Sequence, residues 1–274
     1  MLKTGLDTLI TYNPFTVAAD LPLAEVVQLL GHTGTRHWPV VDSQGALTGV
    51  VSAADIVRAM EACECDGASQ SKLALTWLRV EAVMCRDADS VQHGDCPWDA
   101  LELMLTKRRC MLPVIEDGVV IGTLSTYDFL RELSYGESPI ARELVCDHCE
   151  KDYETLDYDQ HYEAALEILC DTERRHAVVV RGDLPMGTVS RRKLSRVRCE
   201  NLVRALFGES LRDPLLGELL KTCPTIAPGR TLGEAAGLMV EHSLDALAVA
   251  NQAGHLLGLV TEDRILRAML DYER

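Results

Sequence analysis

Two spacings of apolar residues alternate along the chain, and the alternation occurs four times. Leu23, Val26, Val27 and Leu30 fall on one helical face, as do Ala100, Leu101, Met104 and Leu105. Ala164, Ala165, Ile168 and Leu169 form a third such face, and Leu232, Ala235, Ala236 and Met239 a fourth. These are i, i+3, i+4, i+7 stripes or shorter versions of them. Each is followed by a short continuous apolar run: Trp38-Pro39-Val40-Val41, Leu112-Pro113-Val114-Ile115, Ala177-Val178-Val179-Val180 and Ala248-Val249-Ala250. A turn then centres on Gly45, Asp117-Gly118, Gly182-Asp183 or Gly254. Beyond it a second strand reads glycine, two further strand residues and a hydroxyl: Gly49 to Ser52, Gly122 to Ser125, Gly187 to Ser190 and Gly258 to Thr261. The unit predicted is helix, strand, strand, helix, repeated in tandem.

A two-stranded sheet alone is marginal in water, so each unit needs a partner. Consecutive units should pair, giving an α/β protein in which each repeat is a small sheet flanked by two helices. The first pair is expected over 1–137, with repeats at about 8–62 and 80–134. The second is expected over 138–274, with repeats at about 142–198 and 214–274. Gly136, Ser138 and Pro139 mark the boundary, and Cys63 to Gln70 the linker inside the first pair. A long helical pattern through Leu194, Val197, Leu202, Val203 and Leu206 stops at Gly208, and Asp213-Pro214 opens a shorter helix.

The strand ending in Pro-Val and an apolar residue, followed by glycine, two strand residues, Ser or Thr, two more residues and Asp, resembles the cystathionine-β-synthase-type (CBS) repeat. The resemblance runs from Tyr12 to about Leu270. It implies two CBS pairs, or Bateman modules, whose clefts commonly bind AMP, ADP, ATP or S-adenosylmethionine. It also implies a regulatory sensor in place of an enzyme, with an adenine nucleotide as ligand and no cofactor. The segments Asn13 to Val17 and Met84 to Val91 resemble the family's cleft-lining strands.

The motif has a physical rationale of its own. A helix beginning just after Ser52 or Ser125 presents free N–H groups and a positive dipole end to a phosphate or ribose oxygen. Asp55 and Asp128, three residues later, offer acceptor oxygens to a ribose diol. Gly49 and Gly122 would let a ligand approach the strand backbone. Ser-x-x-Asp is equally the pattern of a capping box, in which these groups only satisfy helix N–H groups. Arg36, His37, Lys107, Arg108 and Arg109 precede core strands and are candidate phosphate partners; each is also an ordinary edge residue. Trp38 could stack on a base, but its place in a core strand favours a packing role. In the third and fourth copies the acidic position holds Lys193 and Arg264. A cation cannot accept from a diol, so ligand binding is assigned to the first pair and assembly to the second.

Composition narrows the alternatives. The net charge of -15 disfavours nucleic acid. No apolar run reaches the roughly 20 residues that span a bilayer, and Met1 to Phe15 lacks signal-peptide architecture, so a cytoplasmic location is expected. The ten cysteines lack the density of a secreted scaffold and are expected to be reduced. Cys146 and Cys149 have the spacing of half a zinc site or a dithiol, but Asp147, Glu150 and Asp152 crowd them and no second C-x-x-C exists. A metal- or thiol-redox-responsive protein is thus one alternative, and a ligand-free scaffold mediating assembly another; no metal site is assigned. Walker, H-E-x-x-H and G-x-S-x-G motifs are absent. Face-to-face association is expected, either of the two modules within one chain or of two chains in a homodimer. Ile265, Leu266, Met269 and Leu270 form an apolar face that is either such a contact or core.

Overall fold

The computed structural model describes residues 5–33, 37–64, 77–206, 208–220 and 224–273. After β1 (Thr11–Tyr12), the first segment runs β2 (Val17–Ala18), α1 (Leu23–Thr33), β3 (His37–Val41), β4 (Leu47–Ser52) and α2 (Ala53–Glu64). The second runs β5 (Val91–Gln92), α3 (Pro97–Lys107), β6 (Met111–Glu116), β7 (Val119–Ser125) and α4 (Thr126–Ser134). A short α5 (Val145–His148) precedes the third, which runs β8 (Glu154–Asp157), α6 (Tyr162–Asp171), β9 (His176–Arg181), β10 (Leu184–Ser190) and α7 (Arg191–Leu206). After the short α8 (Leu216–Leu219) come α9 (Leu232–His242), β11 (Ala246–Ala250), β12 (Leu256–Thr261) and α10 (Glu262–Glu273).

Every segment forms the same small sheet. The hairpins β3–β4, β6–β7, β9–β10 and β11–β12 are antiparallel. A leading strand joins the first member of each in parallel: β2 on β3, β5 on β6 and β8 on β9, with the single bridge Ile226 to Val249 in the fourth. The hairpin turns use Gly45, Gly118, Gly182 and Gly254 at positive φ, which costs glycine no strain. The central strands are continuous apolar runs because helices cover one face and a second sheet the other. In the later half Val178 packs with Ala246, Ala248 and Leu259, and Thr188 Oγ–H donates to the Ala246 carbonyl at 2.7 Å. The corresponding join in the first half runs through Val120 N–H to the Gly45 carbonyl at 3.1 Å.

The chain leading into each segment lies on the neighbouring segment. β1 pairs with β7, and Leu6, Leu9 and Ile10 enter the core beneath it. His93 fastens this stretch, with Nε2 3.1 Å from Asp7 and Nδ1 3.0 Å from Glu116. In return, Val80 and Met84 fill the core of the first segment, and Cys85 bridges to Val50. Glu150 bridges to Leu259 of the fourth segment, while Leu216 and Leu220 enter the core of the third. Neither member of such an exchange can close its core alone.

This exchange accounts for the strand glycines. A Cβ at Gly49 would lie 2.7 Å from the Cys85 carbonyl oxygen, and at Gly258 2.7 Å from the Glu150 carbonyl oxygen. At Gly122 it would meet Ile10 and, at 3.1 Å, the Thr11 carbonyl. At Gly49 and Gly122 the chain itself makes a close approach to the strand. Gly49→Ala should therefore destabilise the apo protein by about 1–3 kcal/mol through overpacking, as read by urea denaturation. Unchanged stability would show that the crossing strand yields.

The largest core joins Leu101, Met104, Phe129, Leu130 and Leu133 to Ala235, Met239, Ile265, Leu266 and Met269, all essentially inaccessible to solvent. It draws residues from both sides of the turn near Gly136. The face Ile265, Leu266, Met269 and Leu270 belongs to it.

Candidate functional site

At the start of α2, Ser52 N–H and Oγ–H both donate to Asp55 Oδ2, at 2.8 and 2.5 Å, and Asp55 N–H donates back to Ser52 Oγ at 3.3 Å. The start of α4 repeats the arrangement, Ser125 N–H and Oγ–H donating to Asp128 Oδ2 at 2.7 and 2.5 Å. The second carboxylate oxygen is met from the next turn, Arg58 binding Asp55 Oδ1 and Arg131 binding Asp128 Oδ1. Both Ser-x-x-Asp motifs are thus capping boxes in this state. An ionised carboxylate has about four lone-pair directions, so each aspartate keeps acceptor capacity beyond these contacts. Asp128 is the more enclosed of the two: its side chain is 5% exposed against 18% for Asp55.

The third and fourth helices keep only the hydroxyl half. Lys193 N–H donates to Ser190 Oγ at 3.2 Å and Arg264 N–H to Thr261 Oγ1 at 3.3 Å. Arg264 turns outward to Glu150 at 3.4 Å.

The candidate phosphate partners are dispersed. Arg36 lies outside the described residues, as does most of the linker expected at Cys63 to Gln70. His37 is half-buried at the start of β3, paired in register with Ser52. Lys107 and Arg108 are exposed at the end of α3, where Arg108 is left-handed. Arg109 Nε binds Asp89 at 2.9 Å, tying the segment Met84 to Val91 to the base of β6. Trp38 is wholly buried and is core. An open groove of about 520 Å³ lies where Tyr12, Asn13, Pro14 and Thr16 meet Glu116, Val120 and Ile121, within the segment expected to line a cleft.

Cys146 lies in the short α5 and Cys149 caps its end. Cys146 is exposed, and Lys151 Nζ lies 3.1 Å from Cys149 Sγ. Among the described residues, no group of three or more His, Cys, Asp or Glu side chains is placed to hold a metal ion. None of the described helices is long and apolar enough to cross a membrane.

The densest charged cluster was not singled out from sequence. Arg192 Nε lies 3.2 Å from Asp245 Oδ2, and its two terminal nitrogens face Glu262 at 3.4 and 3.2 Å. His176 Nε2 is 3.7 Å from Asp245, and the Arg192 guanidinium lies 5.5 Å from the ring centre of Tyr127. Burial alone would raise the Asp245 carboxyl, yet His176, Arg192 and Ser190 hold it well below the usual range. Burial also pushes Glu262 up, and there it outweighs Arg192. Arg192 is held above its ordinary value by Glu262 and Asp245 against the opposing effect of burial. The cluster joins the third and fourth segments where both meet α4 of the second.

The model of the family described as CBS domain matches residues 6–62, 80–135 and 216–271, more than half of the chain. The crystal structure of protein MJ1225 from Methanocaldococcus jannaschii superposes with a TM-score of 0.76 at 17% identity, covering 97% of this chain and 100% of that one. A conserved protein from Pyrococcus horikoshii gives 0.64 at 21% identity, covering 97% and 100%. In sequence, MJ1225 is 26% identical over 129 residues, 46% of either chain. The A-adding tRNA nucleotidyltransferase of Aquifex aeolicus is 21% identical over 130 residues, 47% of this chain and 14% of that protein. The chain therefore matches under half the length of these two curated relatives. With the family model matched at the first, second and fourth segments and the same sheet built in each, the chain belongs to the CBS domain family.

Proposed function

We propose that this protein is a non-catalytic sensor made of four CBS repeats in two pairs, 1–137 and 138–274, that binds an adenosine-containing ligand in its first pair. The segment 154–206 serves as the divergent repeat, since its order of elements is that of the other three. One observation carries the ligand assignment. Asp55 and Asp128 sit in the first turns of α2 and α4 with their carboxylates turned back to the N–H groups of the cap residues Ser52 and Ser125, while Lys193 and Arg264 hold the equivalent places in the second pair. A ribose diol can donate to the first two and not to the last two. The neighbouring N–H groups and helix dipole suit a phosphate. Pairing within one chain is favoured over a homodimer at the α10 face, because that face is consumed in the internal core.

Thermal-shift and calorimetric titration with AMP, ADP, ATP and S-adenosylmethionine tests this reading. At least one should raise the melting temperature in proportion to the logarithm of its concentration. Asp55→Asn and Asp128→Asn should each weaken binding roughly 5- to 150-fold, the equivalent of about 1–3 kcal/mol for a lost acceptor pair. The competing reading is a ligand-free scaffold, favoured by the internal engagement of both aspartates. No shift with any of the four compounds establishes the scaffold instead, while full affinity in both variants leaves Asp55 and Asp128 as helix caps alone and overturns the site assignment.

A further inference from the structure

We propose that the charged cluster of the second pair takes the place of a ligand there and, through Tyr127, positions the helix start that carries Asp128. This deepens the sensor reading and rests on it for the identity of the Asp128 site. Asp245 stands directly before β11, the place held by Arg36 before β3 and Arg175 before β9. The repeat position that is basic in the first and third segments is thus acidic in the fourth, and Arg192 reaches it at 3.2 Å. Cation and anion, which in a nucleotide cleft would be divided between protein and phosphate, are here both supplied by side chains. Glu262 at 3.2 Å and His176 at 3.7 Å complete the set. A phosphate entering would have to displace two carboxylates from one guanidinium, so this junction is closed to anionic ligands.

Tyr127 carries the first pair to this cluster. Tyr127 lies between Thr126 and Asp128 in the first turn of α4, its ring beneath the Arg192 guanidinium and its hydroxyl donating to the Leu244 carbonyl at 2.9 Å. Leu244 immediately precedes Asp245, so the ring and the hydroxyl are fastened to the same corner of the fourth segment. The equivalent residue in the first segment is Ala54, exposed and too short for either contact. The Asp128 site is consequently fixed to the charged cluster, whereas the start of α2 meets the second pair elsewhere, through Cys199 Sγ–H donating to the Ala53 carbonyl at 3.7 Å. Tyr127 and Arg192 are positioning residues, acting on a ligand only through the geometry of Asp128.

The test uses the full chain with AMP as the probe. Arg192→Met should lower affinity about three- to thirtyfold in an Asp55→Asn background, where only the Asp128 site is intact, and leave affinity unchanged in an Asp128→Asn background. Arg192→Lys, which keeps a cation near Tyr127, should restore part of the loss. Equal losses in both backgrounds, or none in either, overturn the proposal. Hydrogen exchange without ligand provides the second readout: Arg192→Met and Tyr127→Leu should speed exchange at the first-turn amides of α4 and not at those of α2. Uniform or absent acceleration overturns the tether. If the wild type binds none of the nucleotides, the sensor reading fails, and the exchange comparison alone decides the tether.

Discussion

Asp245→Asn is expected to cost about 3–5 kcal/mol of stability at neutral pH, whereas Glu262→Gln should cost about 1 kcal/mol or less. The two carboxylates face the same guanidinium, but their ionisation is stabilised to different extents. Asp245 is 14% exposed and held well below its ordinary range by His176, Arg192 and Ser190 in spite of burial, so neutralising it leaves a largely buried guanidinium short of a partner. Glu262 is pushed the other way by burial, and a glutamine amide oxygen can still accept from Arg192. The signs give a pH dependence. A depressed carboxyl contributes stability that is present above its unfolded value, about 4, and is lost as pH falls toward the folded value. Glu262, being raised, contributes in the opposite sense, favouring the fold below its unfolded value and losing that contribution as pH rises through the folded one. The gap between wild type and Asp245→Asn in urea denaturation should therefore narrow as pH drops below about 4. A gap that stays constant with pH would mean that Asp245 contributes through packing instead of charge.

The cluster also shows where sequence reading stops. Lys193 and Arg264 are legible in the sequence as departures from the acidic position of the motif, whereas the neighbouring Arg192 and Glu262 have no place in it. That Arg192 is neutralised from within depends on Asp245 and Glu262, 53 and 70 residues away in the chain. The usable signal was the reversal of charge between Arg36 or Arg175 and Asp245 at one repeat position. Hairpins and helices were legible because their periodicities are strong: the pattern from Leu194 to Leu206 lies within α7, and the stop at Gly208 falls just beyond it. The exchanged leading segments were not legible. β1 has only two residues, and its pairing with β7 is set by space opposite Gly122, not by any alternation of its own. The close approach that the glycines permit is made by the Cys85 carbonyl at Gly49 and by Ile10 and the Thr11 carbonyl at Gly122. At the helix starts both meanings of Ser-x-x-Asp were legible, and the structure shows the capping arrangement.

Leu266→Ala should destabilise the whole chain by about 2–5 kcal/mol, even though only eight residues follow it in the sequence. Leu266 on α10 is fully buried in the core that also holds Leu101, Phe129 and Leu130 from the first half. A cavity there removes contacts from both halves at once. α4 also packs closely on α9, since a Cβ at Gly233 would sit 3.3 Å from the Leu133 carbonyl oxygen and one at Gly237 3.7 Å from Ser134 Cβ. Little room exists for the helices to slide together and fill the void, which places the cost toward the upper part of that range. Produced as separate chains, 1–137 and 138–274 should each expose this apolar surface and self-associate or aggregate. Mixed during refolding, they should recover one soluble complex. Urea denaturation of Leu266→Ala, followed by far-ultraviolet circular dichroism, should show a single transition moved to lower urea with an unchanged slope. Two transitions, only the later of them shifted, together with a soluble monomeric 1–137 fragment, would show that each pair carries a self-sufficient core.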